Sequence, residues 1–301
     1  MGYLSQKKKY TKTKDLLNIS LIIIVLYSLV MLFFKDTELA NSISHWMFHI
    51  YLISLFLIIY SAISKFFIQM CCFILCECIL FLHIGMGGNL FFNVQTPGLQ
   101  SIKIFYQAEV KSNYDSVKQI YASNSDIAAI LKPLNDKTQF FTYENKKQTL
   151  LSTSNVIVSK YPYTSSGEIL LSPNGRASFA EINIDMQKMM FVTLDFSRLT
   201  YAEKKTSLKN LSEFINLQDI PVVVVGQFGL VAWSKNFLDF LETTKLEVKN
   251  KTILSNGRRV FNPLCVPSIN ILAYKDFGIR DMKFLTAKSN TTHPLLIELN
   301  Y

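Results

Sequence analysis

The chain has 301 residues, a mean hydropathy of +0.23 and 50% hydrophobic residues, which is high for a soluble protein. Its 31 Lys and Arg outnumber 22 Asp and Glu, a formal charge of +9. Four of the five cysteines (Cys71, Cys72, Cys76, Cys78) crowd into one apolar run. Cys265 is alone beyond it, so an internal disulfide framework is excluded for the last two thirds.

Residues 1–15 form a basic tail holding Lys7, Lys8, Lys9, Lys12 and Lys14. Leu16–Phe34 follows without a charge, close to the roughly 20 residues that cross a hydrocarbon core. Trp46–Ser64 is a second uncharged run, and Phe66–Gly88 a third, broken only by Glu77. The first run is too long for a cleavable leader, and no small-x-small site follows it. Residues 16–93 are therefore expected to be a membrane anchor of three transmembrane helices at about 16–34, 46–64 and 66–88. The lysine-rich tail keeps the N-terminus cytoplasmic. Three crossings then put the remainder outside the cytoplasm, the periplasm in a Gram-negative bacterium. If the third run is re-entrant, the remainder is cytoplasmic instead.

Glu77 near mid-bilayer is costly and marks either function or a contact with the other helices. Cys72 and Cys76 share a helix face and read as small packing residues. His45 and His49 are too few to hold a metal alone. Residues 1–93 hold seven Lys against four Asp/Glu, leaving +3 there and +6 for the rest. A moderately basic domain favours anionic headgroups or phosphate-bearing ligands, or simply carries a lysine-rich solvated surface.

Residues 89–99, with Pro97 and Gly98, read as a linker, and 94–301 as one domain. Strands are expected at Ser101–Gln107, Asp126–Leu131, Thr138–Tyr143, Asn155–Ser159, Ala177–Ile184, Lys188–Leu194, Ser268–Ala273 and Leu295–Leu299. Pro221–Gly226 (PVVVVG) has the β-branched run of a central strand covered on both faces. Helical spacing marks Asn113–Ser123, Tyr201–Asn216 and Ser234–Thr243. Ser165–Gly167 and Ser172–Gly175 read as turns. Mixed strands and helices around one core fit an α/β class, a two-sheet α/β sandwich behind three transmembrane helices.

Several segments carry a resemblance. Ser159-Lys160-Tyr161-Pro162 is similar to an "SryP" strand end. PVVVVG with Phe228 and Ala232-Trp233-Ser234 is similar to "GDFN…pWS". Pro294 with Leu295 and Leu296 is similar to the proline and apolar pair after "SDH". In this order they resemble the endonuclease/exonuclease/phosphatase family, over about 101–299, and especially its bacterial members with a three-helix membrane anchor.

The resemblance implies Mg²⁺ on carboxylate and amide oxygens, a histidine–aspartate general base, and an asparagine and second histidine for the phosphate charge. This chain departs at each place. Ala108 stands where the first strand should end in asparagine. Lys132 follows Asp126–Leu131 where the metal-binding glutamate belongs, an ammonium opposing a cation. Asp195 replaces the histidine of "tHl", and Gln227 and Gly229 replace the carboxylate and amide of "GDFN". Asn270 falls in the "iDH" strand, and Asn290-Thr291-Thr292 on "SDH"; a one-residue slip puts His293 on the catalytic histidine beside Thr292.

No residue is therefore assigned as catalytic, cofactor-binding or metal-binding, and no cofactor is expected. The expected function is a catalytically inactive binding or scaffolding pseudoenzyme of the inner membrane. Its domain would be periplasmic, with the lipid bilayer and an anionic phosphate-bearing ligand at Lys132 as partners. The alternative is a metal-dependent phosphodiesterase or phosphatase with a rebuilt site, using Mg²⁺ and depending on Asp195 or His293. Asp195, Asp185 and Glu181 could furnish such a site or be ordinary strand-face carboxylates. Lys204-Lys205 and Arg258-Arg259 lack interleaved aromatics, so no nucleic acid is expected.

Overall fold

The computed structural model describes residues 2–34, 37, 39, 43, 46–86, 100–108, 110, 112–132, 148–151, 155–184, 187–231, 234–249, 271–274, 276–285 and 294–301. The chain divides into a helical unit and a larger α/β unit. The expected strand at 138–143 and linker at 89–99 lie outside the described residues, as do His45, Asp185, Trp233, Arg258, Cys265, Asn270 and His293.

Three helices build the first unit: α1 (Gly2–Phe33), α2 (Met47–Ile63) and α3 (Phe67–Met86). Helix α1 extends back through the basic tail instead of starting at Leu16. Leu17 and Ile24 pack with Phe73 and Cys76, and the Gln69 amide donates to Asn18 Oδ1 at 3.0 Å. Ile22, Ile23, Phe56 and Ile68 point outward, each more than half exposed. Only Thr11–Phe33, among the described residues, is long and apolar enough to cross a membrane, by length and composition alone. At 1.5 Å per residue the 17-residue α2 spans about 25 Å, short of the roughly 30 Å hydrocarbon core. The described apolar stretch of α3 is Phe67–Leu80.

In the α/β unit, β1 (Ser101–Gln107), α4 (Asn113–Ala122) and β2 (Ile127–Leu131) form a parallel crossover. Next come β3 (Gln148–Leu151), β4 (Asn155–Ser159), β5 (Tyr163–Leu170), β6 (Arg176–Ile184) and β7 (Gln187–Asp195). A second parallel crossover runs from β7 through α5 (Tyr201–Asn216) to β8 (Val222–Gln227). The chain continues through α6 (Lys235–Thr244), β9 (Leu246–Val248), β10 (Ile271–Tyr274), β11 (Gly278–Phe284) and β12 (Leu295–Asn300).

These strands form two six-stranded sheets, β11-β12-β1-β2-β4-β3 and β5-β6-β7-β8-β10-β9. Position by position the sheets share one plan, a central parallel pair flanked by antiparallel strands. This two-fold likeness has no counterpart in the sequence. Alternating residues from both sheets (Ile104, Ala129, Ile157, Phe191, Val223 and Ile297) fill the layer between them. Helix α4 covers the outer face of the first sheet through Val117 and Ile120. Helix α5 starts at a capping box in which Thr200 and Glu203 satisfy each other's backbone N–H groups, and it buries Leu208, Leu211 and Ile215.

The structure adds four strands to the expected set: β3, β5, β9 and β11. Ser165–Gly167, expected to be a turn, lies inside β5. That strand is a polar edge with mostly exposed side chains, so no apolar alternation betrayed it. Ser172–Gly175 is the β5–β6 turn, closed by Leu171 N–H to Gly175 O at 2.8 Å.

Candidate functional site

The carboxyl ends of β1, β2, β7 and β8 meet at one end of the sandwich, with Asn155 of the antiparallel β4 directly opposite Leu131. Two crossovers thereby deliver Ala108, Lys132, Asp195 and Gln227 to one edge. Gly226 permits the close approach of β8 to β7, since a Cβ there would lie 2.1 Å from Leu194 O. Gly229 turns the chain away at φ +61°.

Lys132 leaves β2 with a left-handed backbone, φ +49°, rare for a residue with a side chain. Its ammonium lies 3.1 Å from Asp195 Oδ2 and donates to Ser197 Oγ at 3.0 Å. The other carboxylate oxygen, Oδ1, accepts from Ser197 N–H at 3.0 Å. The ammonium has three donors, of which Asp195 takes one and Ser197 a second. With side chains 25% and 11% exposed, the pair closes the edge between the sheets as a mostly desolvated, net-neutral unit.

Beneath it lies a polar layer on the inner strand faces. The Asn155 amide donates to Thr193 O at 3.4 Å, crossing from sheet to sheet. Tyr106 on β1, Asn155 on β4, Ser178 on β6 and Thr193 on β7 are each at most 4% exposed. Tyr106 Oη, Asn155 Oδ1, Ser178 Oγ and Thr193 Oγ1 have no hydrogen-bond partner among the described residues. Burial, with the Asp195 charge adding to it, holds the Tyr106 hydroxyl well above its ordinary pKa, so it remains a neutral donor. Such unmet capacity in a buried layer is ordinarily met by a polar group or ordered water.

Of the positions singled out in the sequence, Ala108, Lys132, Asp195 and Gln227 come to this edge. Glu181 does not: its neighbours Ala180 and Ile182 face the inter-sheet layer, so Glu181 faces outward, where it pairs with Lys188 at 3.0 Å. Lys160 of the SKYP segment serves the opposite end, holding Asp126 at 3.0 Å. Lys204 donates to Gly229 O at 2.9 Å, and burial lowers its pKa. Tyr106, Asn155, Ser178 and Thr193 were not singled out. The available signal was a polar residue on the inward phase of an otherwise apolar strand, close to the strand's end.

The metal implied by the resemblance does not fit these residues. A divalent cation needs several hard oxygen ligands. Here Asp195 is the carboxylate at the edge, and the Lys132 ammonium already neutralises it. Among the described residues no three His, Cys, Asp or Glu side chains come together as a metal-binding group.

No protein-family model and no curated protein matches the sequence. Solved structures do match. An endonuclease/exonuclease/phosphatase family protein from Bacteroides thetaiotaomicron aligns with TM-score 0.53 and 12% identity, over 68% of this chain and 96% of that one. The α/β unit has the endonuclease/exonuclease/phosphatase fold. The mannosyl-6-phosphatase Bt3783 of Bacteroides thetaiotaomicron gives TM-score 0.52 and 11% identity over 66% of this chain and all (100%) of that one. D. rerio TDP2 complexed with single-strand DNA product gives 0.53 and 11% over 67% and 100%. At these identities the likeness is one of fold, and the fold hosts both phosphatases and nucleases.

Proposed function

We propose that this chain is a membrane-anchored binding or scaffolding pseudoenzyme, in which an endonuclease/exonuclease/phosphatase fold no longer runs metal-dependent hydrolysis. The observation that carries this reading is the ion pair of Lys132 with Asp195 at the strand edge. It puts a fixed ammonium where the resemblance expects a metal carboxylate, and it consumes the carboxylate nearby. A hydrolase needs a group that activates water and a charge that stabilises the leaving phosphate. The pair offers neither in free form.

The polar layer and the remaining Lys132 donor give this edge a binding character. An anionic, phosphate-bearing ligand would be held by hydrogen bonds at this edge, competing with Asp195 for the ammonium. In this reading all three helices form the anchor, α2 crossing where the bilayer thins around its 17 residues and α3 with its Gly-containing end. The lysine-rich tail stays cytoplasmic, and the α/β unit lies outside the cytoplasm, in the periplasm of a Gram-negative cell. The outward apolar side chains of α1, α2 and α3 support burial in lipid.

A turnover assay on the full chain in maltoside micelles tests the reading, using aryl phosphate mono- and diesters with Mg²⁺ or Mn²⁺. The expected rate is that of the micelles alone. Metal-dependent turnover that disappears in Asp195→Asn would overturn the proposal in favour of a rebuilt phosphohydrolase site.

A further inference from the structure

At the opposite end of the sandwich from the Lys132–Asp195 pair, the inter-sheet layer opens into a cavity of about 410 Å³. This is within the size range of small-molecule sites, roughly 300–1,000 Å³. It forms where β7 and β8 begin, where β10 ends, and where β11 begins beside the end of β12. Three aromatic side chains line it: Tyr274, Phe277 and Tyr301. The Phe277 and Tyr301 rings lie 6.0 Å apart, tilted by 31°, packed as an aromatic pair beside the cavity. Ile184 and Met189, both buried, contribute apolar surface.

The charges around this cavity are not balanced among the described residues. Asp219, after α5, and Asp276, between β10 and β11, both exposed to solvent, line the cavity, and neither has a salt bridge among the described residues. The described lysine that lines it, Lys188, is drawn to Glu181 at 3.0 Å. Aromatic faces present negative potential, and carboxylates beside them add to it. That combination selects an organic cation, whose charge is spread over alkyl groups that the rings and Met189 can desolvate. An inorganic cation is hydrated by roughly six or more oxygens, and the two carboxylates would replace only part of that shell against an aromatic wall.

We propose that this cavity is a binding site for an alkylammonium group, separate from the Lys132–Asp195 edge at the other end. The aromatic walls take its methyl or methylene groups, and Asp219 and Asp276 supply the counter-charge. A free base and a lipid headgroup share this chemistry.

The test is calorimetry on the full chain in maltoside micelles with two ligands of the same shape, choline and its uncharged carbon isostere 3,3-dimethyl-1-butanol. Choline is expected to bind at least about tenfold more tightly. Asp219→Asn with Asp276→Asn should remove that preference, and Tyr274→Ala should weaken choline by about tenfold. A short-chain phosphatidylcholine below its micelle concentration separates the sources: tighter binding than choline marks a lipid headgroup, equal binding a free base. Equal affinity for choline and the alcohol would overturn the proposal, as would no binding of choline, or a preference unchanged in the double Asn variant. Circular dichroism of each variant establishes that a loss is not unfolding.

Discussion

Cutting the Lys132–Asp195 pair gives the sharpest stability prediction. Removing one partner of a fully buried pair costs about 3–5 kcal/mol, whereas an exposed pair contributes about 0–1 kcal/mol. This pair lies between those limits, with side chains 25% and 11% exposed. Asp195 also keeps the Ser197 N–H when the ammonium is gone. Lys132→Met should therefore cost about 1–3 kcal/mol, or roughly 6 °C in melting temperature at the middle of that range for a unit of this size. Lys132→Gly removes the same charge but relaxes the left-handed backbone at φ +49°, recovering about 1 kcal/mol relative to the methionine variant. Asp195→Asn alone destabilises by a similar amount, and the double variant Lys132→Met/Asp195→Asn by about 1 kcal/mol less than the sum. Urea unfolding of the full chain in maltoside, followed by near-ultraviolet circular dichroism, measures the cycle. Additivity within about 0.3 kcal/mol would refute the reasoning, because the pair would then contribute nothing to closing the edge.

Gly226→Ala should be severely destabilising, by more than about 3 kcal/mol, because its Cβ would fall 2.1 Å from Leu194 O between two central strands. Gly167→Ala on the edge strand β5, 3.1 Å from the Phe179 ring, should cost less than about 1 kcal/mol; urea midpoints compare the two. Thr200→Ala breaks the capping box of α5 and should cost about 1 kcal/mol by the same measurement. Lys188 holds the Glu181 carboxyl below its ordinary value of 4.5. Its folded pKa is thus below its unfolded one, so its contribution is complete above the unfolded value and lost as pH falls through the folded value. Glu181→Gln should flatten that part of the acid limb in a pH series of melts, and an unchanged limb would contradict the pairing. For topology, a reporter fused after Tyr301 should be active only outside the cytoplasm; cytoplasmic activity would remove the three-crossing anchor.

The strands that sequence exposed were those with an unbroken apolar reason to exist. Val222–Val225 packs against both layers, and β1 and β4 carry their inward residues at a period of two. Strands β5 and β11 lie at sheet edges, where sequence such as Tyr163–Leu170 answers to solvent and not to a core. The helical segments near the N-terminus were legible as apolar runs, but α2 closes after 17 residues, and length decides a crossing as much as composition does. At the candidate site, the resemblance put Lys132 and Asp195 in equivalent places, yet only the packing of two sheets shows them neutralising each other at 3.1 Å. The polar layer was invisible for the same reason. Tyr106, Asn155, Ser178 and Thr193 belong to four strands in two sheets, and no local pattern joins them.

Calorimetric titration of Mn²⁺ into the full chain in maltoside, with Asp195→Asn run alongside, bears most directly on the proposal that Asp195 serves Lys132 and not a metal. No saturable binding is predicted up to millimolar metal for either protein. Binding at millimolar concentration or tighter that vanishes in Asp195→Asn would contradict the account, because Asp195 would then be a metal ligand and not the counter-ion of Lys132.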